Sequence, residues 1–201
     1  MKSAVSYLQI SSDKGNCYAS YLLGILYESG QGVEQNSTQM INYYQKSSEQ
    51  GNSHGYNRIG YCYDIGNVLP NDYSKALKYY QKAEQLGNSY AINNIGVLYW
   101  FGRFVEKSKT KAIEYYQRSA DLGNSYALRN LAKLYLKGNF LPKNSAKAIE
   151  YYKKSAENVD STSCIYLGDL YAQGDVVEKN LKKAKNYYQK AKDLDDPDAE
   201  I

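Results

Sequence analysis

The chain has 201 residues, 43% of them apolar, and a formal net charge of +4, with Lys and Arg interspersed among Asp and Glu. That is enough apolar surface for a packed core and too little charge bias to select nucleic acid or a membrane as partner. No run approaches the roughly 18 apolar residues of a membrane helix, and the opening MKSAVSYLQISSDK lacks the apolar stretch of a secretory signal, so the expected compartment is cytoplasmic.

The organising feature is a 36-residue period, which changes every local inference. Residues 1–14 match the second half of a unit, with a leading helix expected near Ser3 to Asp13. Five units follow without a gap at 15–50, 51–86, 87–122, 123–158 and 159–194, and 195–201 match the beginning of a sixth. A single array of about eleven helices over 1–201 is therefore expected. Four units open with Gly-Asn, at Gly15, Gly51, Gly87 and Gly123; the fifth opens with Val159-Asp160.

Each unit then repeats the same devices. Gly24, Gly60, Gly96 and Gly168 fall in mid-helix, where Gly costs about 1 kcal/mol against Ala, so a close neighbouring helix must require them. Ala132 takes that slot in the fourth unit. Six residues on, Gly30, Gly66, Gly102, Gly138 and Gly174 follow apolar runs ending in Tyr27, Tyr63, Tyr99, Tyr135 and Tyr171, and predict left-handed helix stops. The next loops carry Pro70 and Pro142.

Second helices should start at Asn36, Asp72, Ser108, Asn144 and Asn180, whose side chains can accept from first-turn N–H groups. Met40, Ala76, Ala112, Ala148 and Ala184 follow, each with a tyrosine pair three and four residues later, on one face. The pairs run from Tyr43-Tyr44 to Tyr187-Tyr188. Fifteen of the 24 tyrosines thus occupy three repeating slots and read as core.

Little here suggests catalysis. Cys17, Cys62 and Cys164 share no repeat slot and no short spacing, and read as reduced, buried thiols. The lone histidine, His54, is eight residues from Cys62 on one predicted helix, roughly 12 Å along its axis, too far for a nucleophile–base pair. Phosphate-loop, His-Glu-x-x-His and zinc-ligand spacings do not occur. No enzyme activity, catalytic residue, cofactor or metal is expected.

The stretches Leu23-Gly24-Ile25-Leu26-Tyr27-Glu28-Ser29-Gly30-Gln31-Gly32-Val33 and Lys75-Ala76-Leu77-Lys78-Tyr79-Tyr80-Gln81-Lys82-Ala83 resemble the Sel-1-like repeat of the tetratricopeptide-like superfamily. The family's Trp is Tyr in every copy, and its second loop glycine survives only as Gly32. The resemblance implies an all-α, right-handed α/α superhelix, a solenoid of antiparallel helix pairs, and adaptor or scaffold roles. Some secreted members staple each helix pair with a disulfide, and this chain lacks that recurring cysteine pair.

In such stacks the first helix of each pair lines the concave side, so the fourth, seventh, eleventh and fourteenth residues of each unit should share a groove. These are Tyr18, Tyr21 and Ile25; His54, Asn57, Tyr61 and Asp64; Tyr90, Asn93, Val97 and Trp100; and Tyr126, Arg129 and Lys133. Aromatic platforms beside amides and two cations suit an extended peptide, with Asn57 and Asn93 as a clamping ladder. A protein or peptide ligand is the expected partner. Single-stranded RNA, or a hydrolase activity such as that ascribed to cysteine-rich relatives, are the alternatives. Lys and Arg concentrate on second helices and loops, notably at Lys143 to Lys154, which disfavours RNA in the groove. End-to-end self-association through uncapped repeat ends is a further expectation.

Overall fold

The computed structural model describes residues 2–195, with side chains from Ala4 onward. Those residues form eleven α-helices: α1 (Lys2–Asp13), α2 (Cys17–Ser29), α3 (Ser37–Glu49), α4 (Ser53–Ile65), α5 (Tyr73–Gln85), α6 (Ser89–Phe101), α7 (Lys109–Asp121), α8 (Ser125–Lys137), α9 (Ser145–Glu157), α10 (Ser161–Gln173) and α11 (Leu181–Asp195). The sixth-unit start expected at 195–201 falls, from residue 196, outside the described residues. Two compact units divide the chain, Met1–Lys107 with α1–α6 and Ser108–Ile201 with α7–α11. The fold is an all-α solenoid of helix pairs.

Backbone requirements at the helix ends explain why the sequence folds this way. The Gly-Asn steps are the first helices' starts. Gly51 takes φ +88°, and Asn52 next to it accepts from the N–H groups of His54 and Gly55. Asn16, Asn88, Asn124 and Asp160 cap the other first helices in the same way. In the fifth unit Val159 holds the glycine position at φ +64°, a conformation that strains a β-branched residue. The stops behave as expected: Gly66, at φ +74°, donates its N–H to the Cys62 carbonyl, and a β-carbon there would lie 2.8 Å from that of Asn71. In four repeats the loop then ties back. The cap residues Asn36, Asp72, Asn144 and Asn180 donate their N–H groups to the carbonyls of Tyr27, Tyr63, Tyr135 and Tyr171 at 2.8–3.0 Å.

The mid-helix glycines clear space for the second tyrosine of each pair. At Gly60 a β-carbon would come 2.7 Å from the Tyr80 ring. That slot is core: Tyr44, Tyr80, Tyr116 and Tyr152 are at most 4% exposed. In the first unit Met40, Tyr44, Ile59 and Cys62 pack together; in the second, Ala132, Tyr152, Ala156, Cys164, Leu167 and Ala191 do.

The other two tyrosine slots correct the expectation that all fifteen rings fill the core. Tyr27–Tyr43, Tyr63–Tyr79, Tyr135–Tyr151 and Tyr171–Tyr187 form stacked pairs with centroids 5.5–5.8 Å apart. Most of these rings are half-buried. Lys75, Lys147 and Lys183 cover Tyr63, Tyr135 and Tyr171 at 4.7–5.2 Å, so the pairs act as surface platforms shielded by cations. The three cysteines are free; Cys62 and Cys164 are buried, whereas Cys17 is half-buried rather than buried as expected.

Candidate binding surface

In the first unit, Tyr18 stands at the start of α2, where the Asn16 side chain accepts from the N–H groups of Tyr18 and Ala19 at 3.0 Å. Its ring lies 6.0 Å from that of Tyr21, which in turn meets His54 of α4 at 5.3 Å. His54 Nδ1 is 3.3 Å from the Asn88 side-chain nitrogen at the start of α6. An aromatic and polar strip therefore crosses three successive first helices. On the same three helices Tyr18, Tyr61 and Tyr90 are 56%, 43% and 42% exposed. Trp100, near the end of α6, is half-buried.

Two of the expected groove residues of this unit are placed otherwise. Asn93 is only 5% exposed, so it does not form a groove ladder with Asn57. Its amide donates to Asn94, and Asn94 donates to Asn57 at 3.2 Å. One residue turns a helix by about 100°, and Asn94 rather than Asn93 is the amide that meets the preceding repeat. Asp64 is 7% exposed, accepting from Arg103 at 3.1 Å and from the Tyr80 hydroxyl at 3.2 Å. Burial raises its pKa, opposed by Arg103 and Tyr80. Asp64 joins repeats and does not face a ligand.

In the second unit, Tyr126 of α8 is 44% exposed, with the Arg129 guanidinium 5.1 Å from its ring centre. Arg129 was expected as a groove cation, yet its Nη1 lies 2.6 Å from Asp160, the cap of α10, with both side chains largely buried. Asp160 also accepts from the Ser155 hydroxyl and from the Ser163 N–H. A buried cation needs such a partner, so this pair is a joint between repeats. The signal was present in the sequence: Asp160 is the one acid in a slot otherwise held by Asn16, Asn52, Asn88 and Asn124. Lys133 stands 4.8 Å from the centre of the Tyr166 ring.

Burial pushes the Cys62 thiol up to about 11, with the Glu28 charge adding to it, so it is not a thiolate at neutral pH. Burial and then the Arg58 charge hold His54 below its usual value. Among the described residues no three His, Cys, Asp or Glu side chains gather as a metal site, and no helix is long and apolar enough to cross a membrane.

The Sel1 repeat family model matches five times, at residues 17–52, 53–88, 89–124, 125–160 and 161–196. Among solved structures, a Sel1 repeat protein from Oxalobacter formigenes is 29% identical, with a TM-score of 0.86 over 94% of this chain and 76% of its own. A protective antigen of uropathogenic Escherichia coli strains, displaying an SLR fold, is 28% identical with a TM-score of 0.70; the chain spans 94% of itself and 40% of that protein. Helicobacter pylori cysteine rich protein B is 28% identical over 67% of this chain and 96% of its own, with a TM-score of 0.50. No curated protein matches in sequence.

Proposed function

The chain belongs to the Sel1 repeat family, whose arrays generally serve as protein-interaction modules, and from that premise we propose that its first helices bind a peptide or an extended segment of a partner protein. The fold typically serves as a scaffold rather than a catalyst. The observation that carries the reading is the run of exposed rings Tyr18, Tyr61 and Tyr90 on α2, α4 and α6 of the first unit. Large amphipathic rings left in water on a rigid helical frame supply contact area at low entropic cost. Tyr21, His54, Asn57 and Trp100 extend that surface, and Tyr126 and Lys133 form a separate patch on the second unit. Asn93, which donates to Asn94, and Arg129, which pairs with Asp160, lie outside the proposed surface.

Affinity capture with mass spectrometry, followed by titration of the captured partner, tests this. Replacing Tyr18 and Tyr61 together by Ala, or Trp100 by Ala, should weaken binding at least tenfold, whereas Lys78→Ala on a second helix should change it less than twofold. Loss in Lys78→Ala with the ring variants unaffected would move the site to the second helices.

A further inference from the structure

A cavity of about 310 Å³ opens in the second unit, lined by Lys153 of α9, Tyr171 of α10, and Lys183, Asn186, Tyr187 and Lys190 of α11. Three lysine side chains line it, and none of the three is held in an ion pair among the described residues. Comparison with the chain's own repeats shows that Lys183 and Lys190 stand in recurrent basic slots, those of Lys147 and Lys154, and that Lys153 is the added cation. Lys153 occupies the slot of Gln45, Gln81 and Gln117, and Asn186 stands where the third and fourth repeats have Glu114 and Glu150 and the first and second have Asn42 and Lys78. In the fourth repeat Glu150 holds Lys154 at 2.7 Å. With Asn186 in that place, Lys190, in the same slot as Lys154, has no carboxylate one turn before it. Relative to the equivalent place one repeat earlier, with Gln117 and Glu150 in these slots, both changes make the cavity more positive. The charge of Glu157 reaches Tyr187, and those of Asp195 and Lys190 both reach Cys164.

We propose that this cavity binds an acidic peptide segment, its carboxylates on Lys153, Lys183 and Lys190 and its backbone on the Asn186 amide. The site is separate from the first-helix surface and does not rest on that reading. The rings decide against single-stranded nucleic acid, which needs open aromatic faces. Tyr171 and Tyr187 lie 5.8 Å apart at an interplanar angle of 5°, Tyr171 is 9% exposed, and Lys183 stands 5.2 Å over it. No face is left on Tyr171 for a base. The cations are all lysines, point charges on flexible stems without the planar fork that fixes a single anion through two bonds, so they suit several charges spread along a flexible chain.

The test is fluorescence anisotropy of a labelled oligoglutamate peptide with the full chain, at low and at high salt. Saturable binding that weakens with salt is expected, falling about fivefold in Lys153→Gln and in Asn186→Glu. The second variant rebuilds the Glu–Lys arrangement of the fourth repeat with a good helix former, so its thermal unfolding should match the parent. Lys154→Gln, already neutralised by Glu150, should bind within twofold of the parent. No binding, equal binding by the parent and both cavity variants, or displacement of the peptide by oligouridylate or inorganic phosphate at lower concentration would each overturn the proposal.

Discussion

Tyr152 and Tyr188 occupy the same slot of successive repeats, in the near-identical settings Glu-Tyr-Tyr-Lys-Lys and Asn-Tyr-Tyr-Gln-Lys. Tyr152 is 1% exposed and packs with Cys164 and Leu167 of the following first helix. Tyr188 is 39% exposed; its hydroxyl donates to Asp169 at 2.7 Å, and its ring borders an open cavity with Ala172 and Leu181. The repeat motif thus prepares a helix face, and the next first helix turns that face into core. Stability should accordingly be distributed by neighbours and not by motif.

Three substitutions sharpen the contrast. Tyr152→Ala should cost about 3–5 kcal/mol, because it empties a filled core slot that the surrounding helices cannot collapse into. Asp160→Asn keeps the helix cap used by the other four repeats but strips Arg129 of its partner, at a cost of about 2–3 kcal/mol. Tyr188→Ala removes a ring partly in contact with water, though packed on Gly168, and should cost about 1–2 kcal/mol. Urea unfolding of the three variants against the parent checks the order. Equal losses at Tyr152 and Tyr188 would mean that the motif, without its neighbour, sets the energetics.

What was legible in the sequence was whatever the backbone itself demands. Helix stops at Gly30 or Gly66 and caps at Asn36 or Asp72 are local rules, and a fixed period multiplies their signal. The Gly-Asn steps were visible as a pattern, yet their role as starts of the first helices was not assigned. Asn93 went astray because a register gives a side chain's angle on its own helix and not how far the next helix wraps over it. Arg129 and Asp160 are 31 residues apart, and only folding shows that one needs the other. The tyrosine slots divided for the same reason: spacing placed Tyr43 and Tyr44 on one helix, while only the packing shows Tyr44 in the core and Tyr43 stacked on Tyr27 at the surface.

Those two tyrosine populations also give the most direct test of binding by the first helices. Hydroxyl-radical footprinting, free and with a captured partner bound, reads each ring separately. Protection should appear at Tyr18, Tyr61 and Tyr90, while Tyr27, Tyr43, Tyr135 and Tyr151 keep their free-state labelling. Protection confined to Tyr43 and Tyr151, on the second helices α3 and α9, with Tyr18, Tyr61 and Tyr90 labelled as in the free chain, would contradict the assignment and place the partner on the second helices.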